Sequence, residues 1–384
     1  MRQKKAVAGP VRRGYRVEEP RESDQFMISK LEAYNFRCFR SLKVDGLKRV
    51  NLLVGENSSG KSAFLESIFL SSGSLAPAVV FQMRGIRRMG GQIVLPNDQN
   101  AYRGLWEDLF FDFAEDKKVT IRLTGNSSDG RSLRIEYIAP TDRQELPFDK
   151  LAGTSTSSQV QQTGMPQIEF KWKRDGYPEV IAKPKILPTG LQVDAPADFF
   201  PCVWFTPGAA EAPDENAKRF SHLDKRGELG PVTDAICKEF TYIDGLSIDY
   251  HAGIAMIFAQ LKGKSRKIPV PLISDGVNRL MGICLGLANF SGGTVLIDQL
   301  EDGFHHKLLG SIWNSIYALA VKFNVQVFVS THSAECISAM MGVVKDHQDD
   351  FSLLRAVRKE SGCNITVLDG QYLESALEQD FEVR

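Results

Sequence analysis

An apolar run, a glycine-rich turn and a helical pattern follow one another without a break between Val50 and Leu70, and this order constrains the fold more than any other feature of the chain. Val50–Val54 (V-N-L-L-V) is short, apolar and flanked by polar and glycine residues, as a buried strand should be. Gly55, Glu56, Asn57, Ser58, Ser59, Gly60, Lys61 and Ser62 then match G-x-x-x-x-G-K-S. Phe64, Leu65, Ile68 and Phe69 follow at helical spacing over Ala63–Leu70, completing the strand, loop and helix of a nucleotide-binding βα unit. The glycines let the backbone wrap a phosphate, and successive N–H groups with the helix N-terminus supply positive partial charge. Lys61 is expected to reach the β- and γ-phosphates and Ser62 to ligate Mg²⁺, so the ligands implied are ATP and Mg²⁺.

Three later elements fit the same site. Val295-Leu296-Ile297-Asp298 is an apolar strand that delivers one carboxylate at its C-terminal end, where an open α/β sheet presents ligands; Asp298 is expected to hold Mg²⁺ through water. Ser330-Thr331-His332-Ser333 follows the next strand, Val325–Ser330, which puts His332 at the rim of that sheet beside the γ-phosphate. Ser274-Asp275-Gly276 opens a helix and forms a further anion-binding turn through its N–H groups. The plain alternative there is a helix cap at Ser274.

The pattern as a whole predicts an α/β fold: a P-loop head with a mixed sheet flanked by helices and an antiparallel β-rich insertion. Residues 1–26, rich in Arg, Lys, Glu, Pro and Gly, read as a flexible tail whose Lys4, Lys5, Arg12, Arg13 and Arg16 suit phosphate contacts. Residues 27–112 form a first ATPase lobe, 113–267 the β-rich insertion with a helical part, and 268–384 a second lobe. In the insertion, β-like runs at Val119–Leu123, Leu133–Ile138, Ile168–Trp172 and Pro201–Phe205 alternate with Gly, Ser, Thr and Pro clusters, and Thr154–Gly164 reads as a mobile loop. Pro207–Gly230 reads as a charged, Pro- and Gly-rich connection to a helix over Pro231–Phe240. A short helix is expected near Leu373–Gln379.

Lys plus Arg and Asp plus Glu number 47 each, so no global field drives the chain toward nucleic acid or an anionic membrane, and any such binding is local. Arg84, Arg87 and Arg88 with Lys117 and Lys118 are the candidate DNA-facing cations. The six cysteines are scattered without a C-x-x-C pair, and neither a spanning segment nor a secretory leader is apparent, which predicts a cytoplasmic protein with reduced thiols and no membrane partner. His305 and His306, close to Glu301 and Asp302, are read as a polar turn rather than a metal site, since adjacent histidines point apart.

With N-F-R-C-F at Asn35–Phe39 ahead of the P-loop, S-D-G-V-N-R-L, L-I-D-Q-L-E-D-G-F-H-H and F-V-S-T-H-S-A-E-C-I in this order, the chain resembles the ABC-type ATPase heads of the SMC, RecF and OLD-like superfamily. It looks most like compact AAA-type bacterial ATPases found beside nucleases in phage-defence systems. The likeness covers about residues 27–112 and 268–384, and the closing E-V-R looks like the family's usual end. The resemblance implies a head-to-tail homodimer, or a larger homo-oligomer, with two ATP molecules between the P-loop of one subunit and the signature turn of the other. Ser274, Asp275 and Gly276 would contact the partner's γ-phosphate, Arg37 would lie near the nucleotide and His332 would be the switch histidine. About fifty residues follow His332, too few for the Toprim domain of OLD nucleases, so nuclease chemistry in the same chain is not expected.

One position departs from the family. Gln299 stands where the general-base glutamate follows the Walker B aspartate, and a carboxamide orients water but takes no proton at neutral pH. Hydrolysis is expected to slow by roughly the 10²–10⁴-fold that general-base catalysis supplies, with Glu301 as the nearest substitute carboxylate. The resemblance therefore implies an ATP-gated dimer that clamps double-stranded DNA or a partner and controls a separate effector, a nuclease or toxin, in antiviral defence. The alternative is a non-hydrolysing, ATP-dependent scaffold for such an effector. A transporter ATPase fits less well, because S-D-G-V-N replaces L-S-G-G-Q.

Overall fold

Side-chain alternation along short central strands sets the architecture. In the computed structural model, which describes residues 26–73, 103–126, 129–138, 167–187, 190–192, 200–208 and 212–369, Leu53, Trp204, Leu296 and Phe328 face one apolar core. Their neighbours Leu52 and Val54, Val203 and Phe205, Val295 and Ile297, and Val327 and Val329 face another. Successive residues of a strand point to opposite faces, so a strand apolar throughout is one covered on both sides.

The chain starts with a hairpin, β1 (Ile28–Phe36) and β2 (Phe39–Asp45); β3 (Val50–Val54) then runs through the glycine loop into α1 (Lys61–Ser72). A meander of β4 (Val119–Gly125), β5 (Gly130–Ile138), β6 (Gln167–Arg174) and β7 (Val180–Ala182) follows, with a small hairpin of β8 (Lys185–Leu187) and β9 (Gly190–Gln192). After β10 (Cys202–Phe205) come α2 (Pro213–Arg226), α3 (Gly230–Glu239) and a three-stranded sheet of β11 (Ile243–His251), β12 (Ile254–Leu261) and β13 (Ile268–Pro269). The last stretch comprises α4 (Asp275–Asn289), β14 (Thr294–Ile297), α5 (Leu309–Lys322), β15 (Gln326–Ser330), α6 (Ala334–Val344), β16 (Phe351–Lys359) and β17 (Gly362–Asp369).

The central sheet has the order β10-β14-β15-β3-β16-β17, parallel except for β17, which returns antiparallel beside β16. Helices α4, α5 and α6 cover one face with Ile283, Leu287, Trp313, Ile316 and Met340. On the other face α1 is sandwiched against the antiparallel sheet β2-β1-β4-β5-β6-β7, which is why it is buried almost all round rather than along one stripe. Phe64 of α1 meets Phe328 of β15 at a ring separation of 6.0 Å. Burying aromatic and aliphatic side chains at about 25 cal/mol per Å² makes these two cores the main source of stability.

Four expectations need correction. The boundary at residue 112 falls inside one sheet: β1 pairs with β4, Leu31 opposite Leu123 and Ala33 opposite Ile121, so the strands read as an insertion extend the first lobe. The apolar face of the β1–β2 hairpin, Ile28, Leu31, Ala33 and Leu42, is too small to cover α1 alone, and β4 to β6 complete the cover. Likewise β10 belongs to the central sheet beside β14.

The connection Pro207–Gly230 contains α2, whose Pro213 at the start and left-handed Gly227 after the end are ordinary helix punctuation. Only Asn216, Ala217, Phe220 and Leu223 are buried along it, so the charged majority conceals the stripe from a composition reading. Phe26, counted with the tail, is a core residue whose ring packs tilted against Phe200 at a centroid separation of 5.3 Å. The remaining tail residues, the loop at Thr154–Gly164, the helix at Leu373–Gln379 and Arg84, Arg87 and Arg88 lie outside the described residues. Among the described residues, no helix is long and apolar enough to cross a membrane.

Candidate nucleotide site

The C-terminal ends of β3, β14 and β15 lie side by side, β15 between the other two, and each carries part of the site. After β3 the loop turns on residues of positive φ: Gly55 at 140°, Ser58 at 63° and Gly60 at 104°. A Cβ on Gly55 would lie 2.2 Å from the Ala356 carbonyl oxygen, so only glycine lets the loop pass so close to β16. Helix α1 starts at Gly60 without a side-chain cap, which leaves its first-turn N–H groups facing the loop. Ser59 Oγ is buried without a hydrogen-bond partner among the described residues. An open helix N-terminus, an orphaned buried hydroxyl and a backbone cradle that a Cβ would fill together fit a phosphate.

Lys61 is buried, and its Nζ donates to the carbonyls of Gly55 at 2.6 Å and Glu56 at 2.8 Å. Burial lowers the ammonium's pKa from its ordinary value, opposed by the attraction of Asp298 and Glu301. Ser62 Oγ donates to Asp298 Oδ2 at 3.0 Å, and Ser330 Oγ makes a short hydrogen bond to Asp298 Oδ1. A serine hydroxyl beside a buried carboxylate is a hard oxygen donor set of the kind Mg²⁺ takes. The structure thus brings Lys61, Ser62 and Asp298 together.

Beyond Asp298 the chain makes a tight turn. Gln299 has φ 53°; its N–H donates to Ser330 Oγ at 2.9 Å, and its carbonyl accepts from Arg279 Nη2 at 2.8 Å. Glu301 reaches across to the β15 end, where Oε1 accepts from the His332 N–H at 3.1 Å and lies 2.9 Å from His332 Nδ1. His332 and Thr331 form one wall of a cleft of about 210 Å³ whose opposite wall is Gly55, Glu56 and Asn57.

The signature turn packs elsewhere on the same block. Ser274 Oγ caps α4 by accepting from Val277 N–H at 3.2 Å, while Ser274 and Asp275 are exposed. Gly276 is pressed against the turn after Asp298, where an added Cβ would lie 2.8 Å from the Gly303 carbonyl oxygen. Arg37 is not turned into the cleft: its Nε pairs with Glu66 of α1 at 2.9 Å and its Nη1 with Asp108 at 2.5 Å. Burial pulls its pKa down, but the two carboxylates outweigh that and the net shift is upward, so the guanidinium ties β1 and β2 to α1. Lys118 is held by Glu136 at 2.6 Å. His305 and His306 do not point apart, their rings lying 4.3 Å from each other, and among the described residues no cluster of three or more metal-ligating side chains exists.

Two positioning residues escaped the sequence reading. Ser330 joins Asp298 to Gln299, and Arg279 donates to the carbonyls of Thr206, Asp298 and Gln299. Arg279 stands within S-D-G-V-N-R-L, but backbone carbonyls leave no mark in a sequence, so nothing there names its targets.

Two family profiles match the chain. The "AAA ATPase domain" covers residues 27–180 and carries the P-loop; "AAA domain, putative AbiEii toxin, Type IV TA system" covers 211–338 and carries the signature turn, Asp298 and His332. Over these two segments the chain is similar to AAA-type ATPase domains. It is 20% identical over 345 residues to a Helicobacter pylori protein named ATP/GTP phosphatase, a match spanning 83% of this chain and 89% of that one. Among solved structures it is similar to the SMC head domain from Thermotoga maritima, at 14% identity and TM-score 0.47, covering 89% of this chain and 99% of that chain. It is also similar to an Smc head bound to the C-terminal winged-helix domain of ScpA, at 15% identity and TM-score 0.49, covering 91% and 99%.

Proposed function

We propose that this ATPase closes into a homodimer, or a larger homo-oligomer, around ATP and Mg²⁺ and uses that nucleotide state to control a separate effector protein. The observation that carries the reading is the Asp298 carboxylate bridged to Ser62 and Ser330 at the mouth of the glycine loop, beside a buried lysine. Ser62 and Asp298 hold Mg²⁺ in this reading; when bound, the ion neutralises charge on the β- and γ-phosphates. Lys61 and the α1 N-terminus bind the phosphates, Gln299 orients water, and the turn of Ser274, Asp275 and Gly276 meets the partner's γ-phosphate. Arg37 contributes indirectly, by bracing α1.

The phosphatase name of the Helicobacter pylori relative supports hydrolysis, and the toxin–antitoxin description of the second profile supports an effector of the toxin class; a nuclease is the other effector proposed, and antiviral defence the proposed role. Duplex DNA is the proposed trigger, supported by the exposed Arg122, Arg134 and Lys173 on the solvent face of the antiparallel sheet, where Arg122 and Lys173 flank Ser132 from either side. A second reading, a non-hydrolysing scaffold, is favoured by Gln299 alone.

The test is steady-state ATP hydrolysis by the native chain beside Gln299→Glu, each with and without duplex DNA at low salt, with the mass of both proteins followed on adding ATP. The expected result is ATP-dependent dimerisation, slow native turnover and faster turnover of Gln299→Glu, by up to the roughly 10²–10⁴-fold a general base supplies. ATP affinity in the millimolar range or weaker sinks the reading. Zero turnover in both proteins with tight ATP binding favours the scaffold, and indifference to DNA removes DNA as the trigger.

A further inference from the structure

A carboxylate that the Walker B pattern does not require is committed to the wall of the nucleotide cleft. Glu301 Oε1 accepts from the His332 N–H and contacts Nδ1, while its Oε2 is buried with no hydrogen-bond partner among the described residues. The imidazole is half exposed and lines the cleft opposite Gly55, Glu56 and Asn57. A carboxylate only accepts, so the ring nitrogen beside it carries a hydrogen, and in the neutral ring Nε2 is then the acceptor, on the side away from Glu301. A nucleophile, a base and a third group that orients the base is the general arrangement for activating a weak nucleophile.

We infer that the Glu301–His332 pair supplies the proton acceptor that Gln299 does not. The inference rests on the ATPase reading above. As a water oxygen bonds to the γ-phosphorus, the bond from that phosphorus to the β–γ bridging oxygen breaks and its electron pair leaves with ADP. One proton of the water passes to His332 Nε2 and is later released to solvent. Glu301 is a positioning residue: it holds the tautomer, and the same Oε1 faces the imidazolium that forms. Of the other charged groups, Glu56 lines the same cleft and Glu335 stands in the first turn of α6. Glu335 Oε2 already accepts from Ser333 Oγ at 2.7 Å, and Lys61 is bound to loop carbonyls, which leaves Glu301 as the carboxylate joined to the ring.

The experiment combines kinetics with a readout that needs no turnover. In ¹⁵N NMR of the nucleotide-free protein, neutral His332 should show the Nδ1–H tautomer, and Glu301→Gln should shift it toward the other. His332→Ala should lower kcat by about 10²-fold or more with little change in KM, and added imidazole should restore part of the loss. In the Gln299→Glu background the same substitution should cost less than about tenfold, because the new carboxylate takes the proton. An Nε2–H tautomer indifferent to Glu301, or a nucleotide-binding His332→Ala protein that imidazole does not rescue, overturns the inference. Lys61→Ala separates the two levels: if it hydrolyses ATP at the native rate, the ATPase reading itself fails. If Lys61→Ala is inactive and His332→Ala is not impaired, the dyad alone fails.

Discussion

Arg279→Ala should both loosen the fold and disable the site, because one buried guanidinium holds three backbone carbonyls from two segments. Its Nη1 donates to Thr206 O at 3.0 Å, and its Nη2 to Asp298 O at 3.1 Å and Gln299 O at 2.8 Å. Burial lowers its pKa from the ordinary value, with Asp302, Asp298 and Glu301 opposing the shift, so the charge is held at a desolvation cost. Hydrogen bonds to a charged donor contribute about 1.5–3 kcal/mol each, and the recovered desolvation of a buried ion returns several kcal/mol of that total. The net loss expected is about 3 kcal/mol, read as a fall in the midpoint of urea unfolding at constant slope. The catalytic loss should exceed what global stability explains, since the freed carbonyls belong to the residues that carry Asp298 and Gln299: kcat should drop at least about tenfold while the protein is still folded. Arg279→Lys should not rescue, because an ammonium on a single-ended stem does not fork to three carbonyls. A protein with Arg279→Ala that unfolds at the native urea concentration and hydrolyses at the native rate would refute the reasoning.

Gly55→Ala should abolish nucleotide binding, because the added Cβ meets the Ala356 carbonyl at 2.2 Å and neither β3 nor β16 can retreat without breaking their ladder; a fluorescent ATP analogue checks it, and native affinity counts against the cradle. Stability should also fall in acid through Glu136 and Glu169. Burial raises their pKa values, but hydrogen bonds from Lys118 and Lys171 to Glu136, and from Lys171 and Lys183 to Glu169, outweigh it and the net shift is downward from 4.5. Folded values below the unfolded ones give stabilisation that is complete above the unfolded pKa and lost as pH falls through the folded one. Glu136→Gln should therefore flatten the decline of unfolding free energy as pH falls below the unfolded glutamate value of 4.5, and parallel native and variant curves would contradict the assignment.

Much of this was legible in the sequence because nucleotide chemistry is confined to strand ends. Gly55–Ser62, Asp298 and His332 each follow an apolar run, and a strand buried on both faces can only present polar groups where it stops. What was illegible depends on pairings between distant segments. The register of β1 with β4 joins residues about ninety positions apart, and nothing local in Ile28–Phe36 distinguishes a hairpin partner from a sheet partner. Helix α2 was hidden because its buried stripe is four residues in a charged context. Arg37 misled for a different reason: its motif position predicts proximity to nucleotide, but Glu66 lies one turn into the very helix that carries Lys61, and a buried carboxylate captures the nearest guanidinium.

The backbone at position 299 bears on how far a side-chain exchange there can be interpreted. A non-glycine residue at φ 53° is uncommon and is retained only where its surroundings fix it. Here Ser330 Oγ takes the N–H, Arg279 takes the carbonyl, and the Asp302 N–H bonds the same carbonyl at 3.1 Å, closing the turn. None of these contacts involves the Gln299 side chain. Glutamate and glutamine are isosteric, so a carboxylate placed there leaves the turn and therefore starts from the same point in the cleft. Any change in turnover between the two then reports proton acceptance rather than geometry. By the same reasoning Glu301 cannot be judged from its sequence separation: the turn that Arg279 and Ser330 impose is what carries it to His332 instead of into solvent.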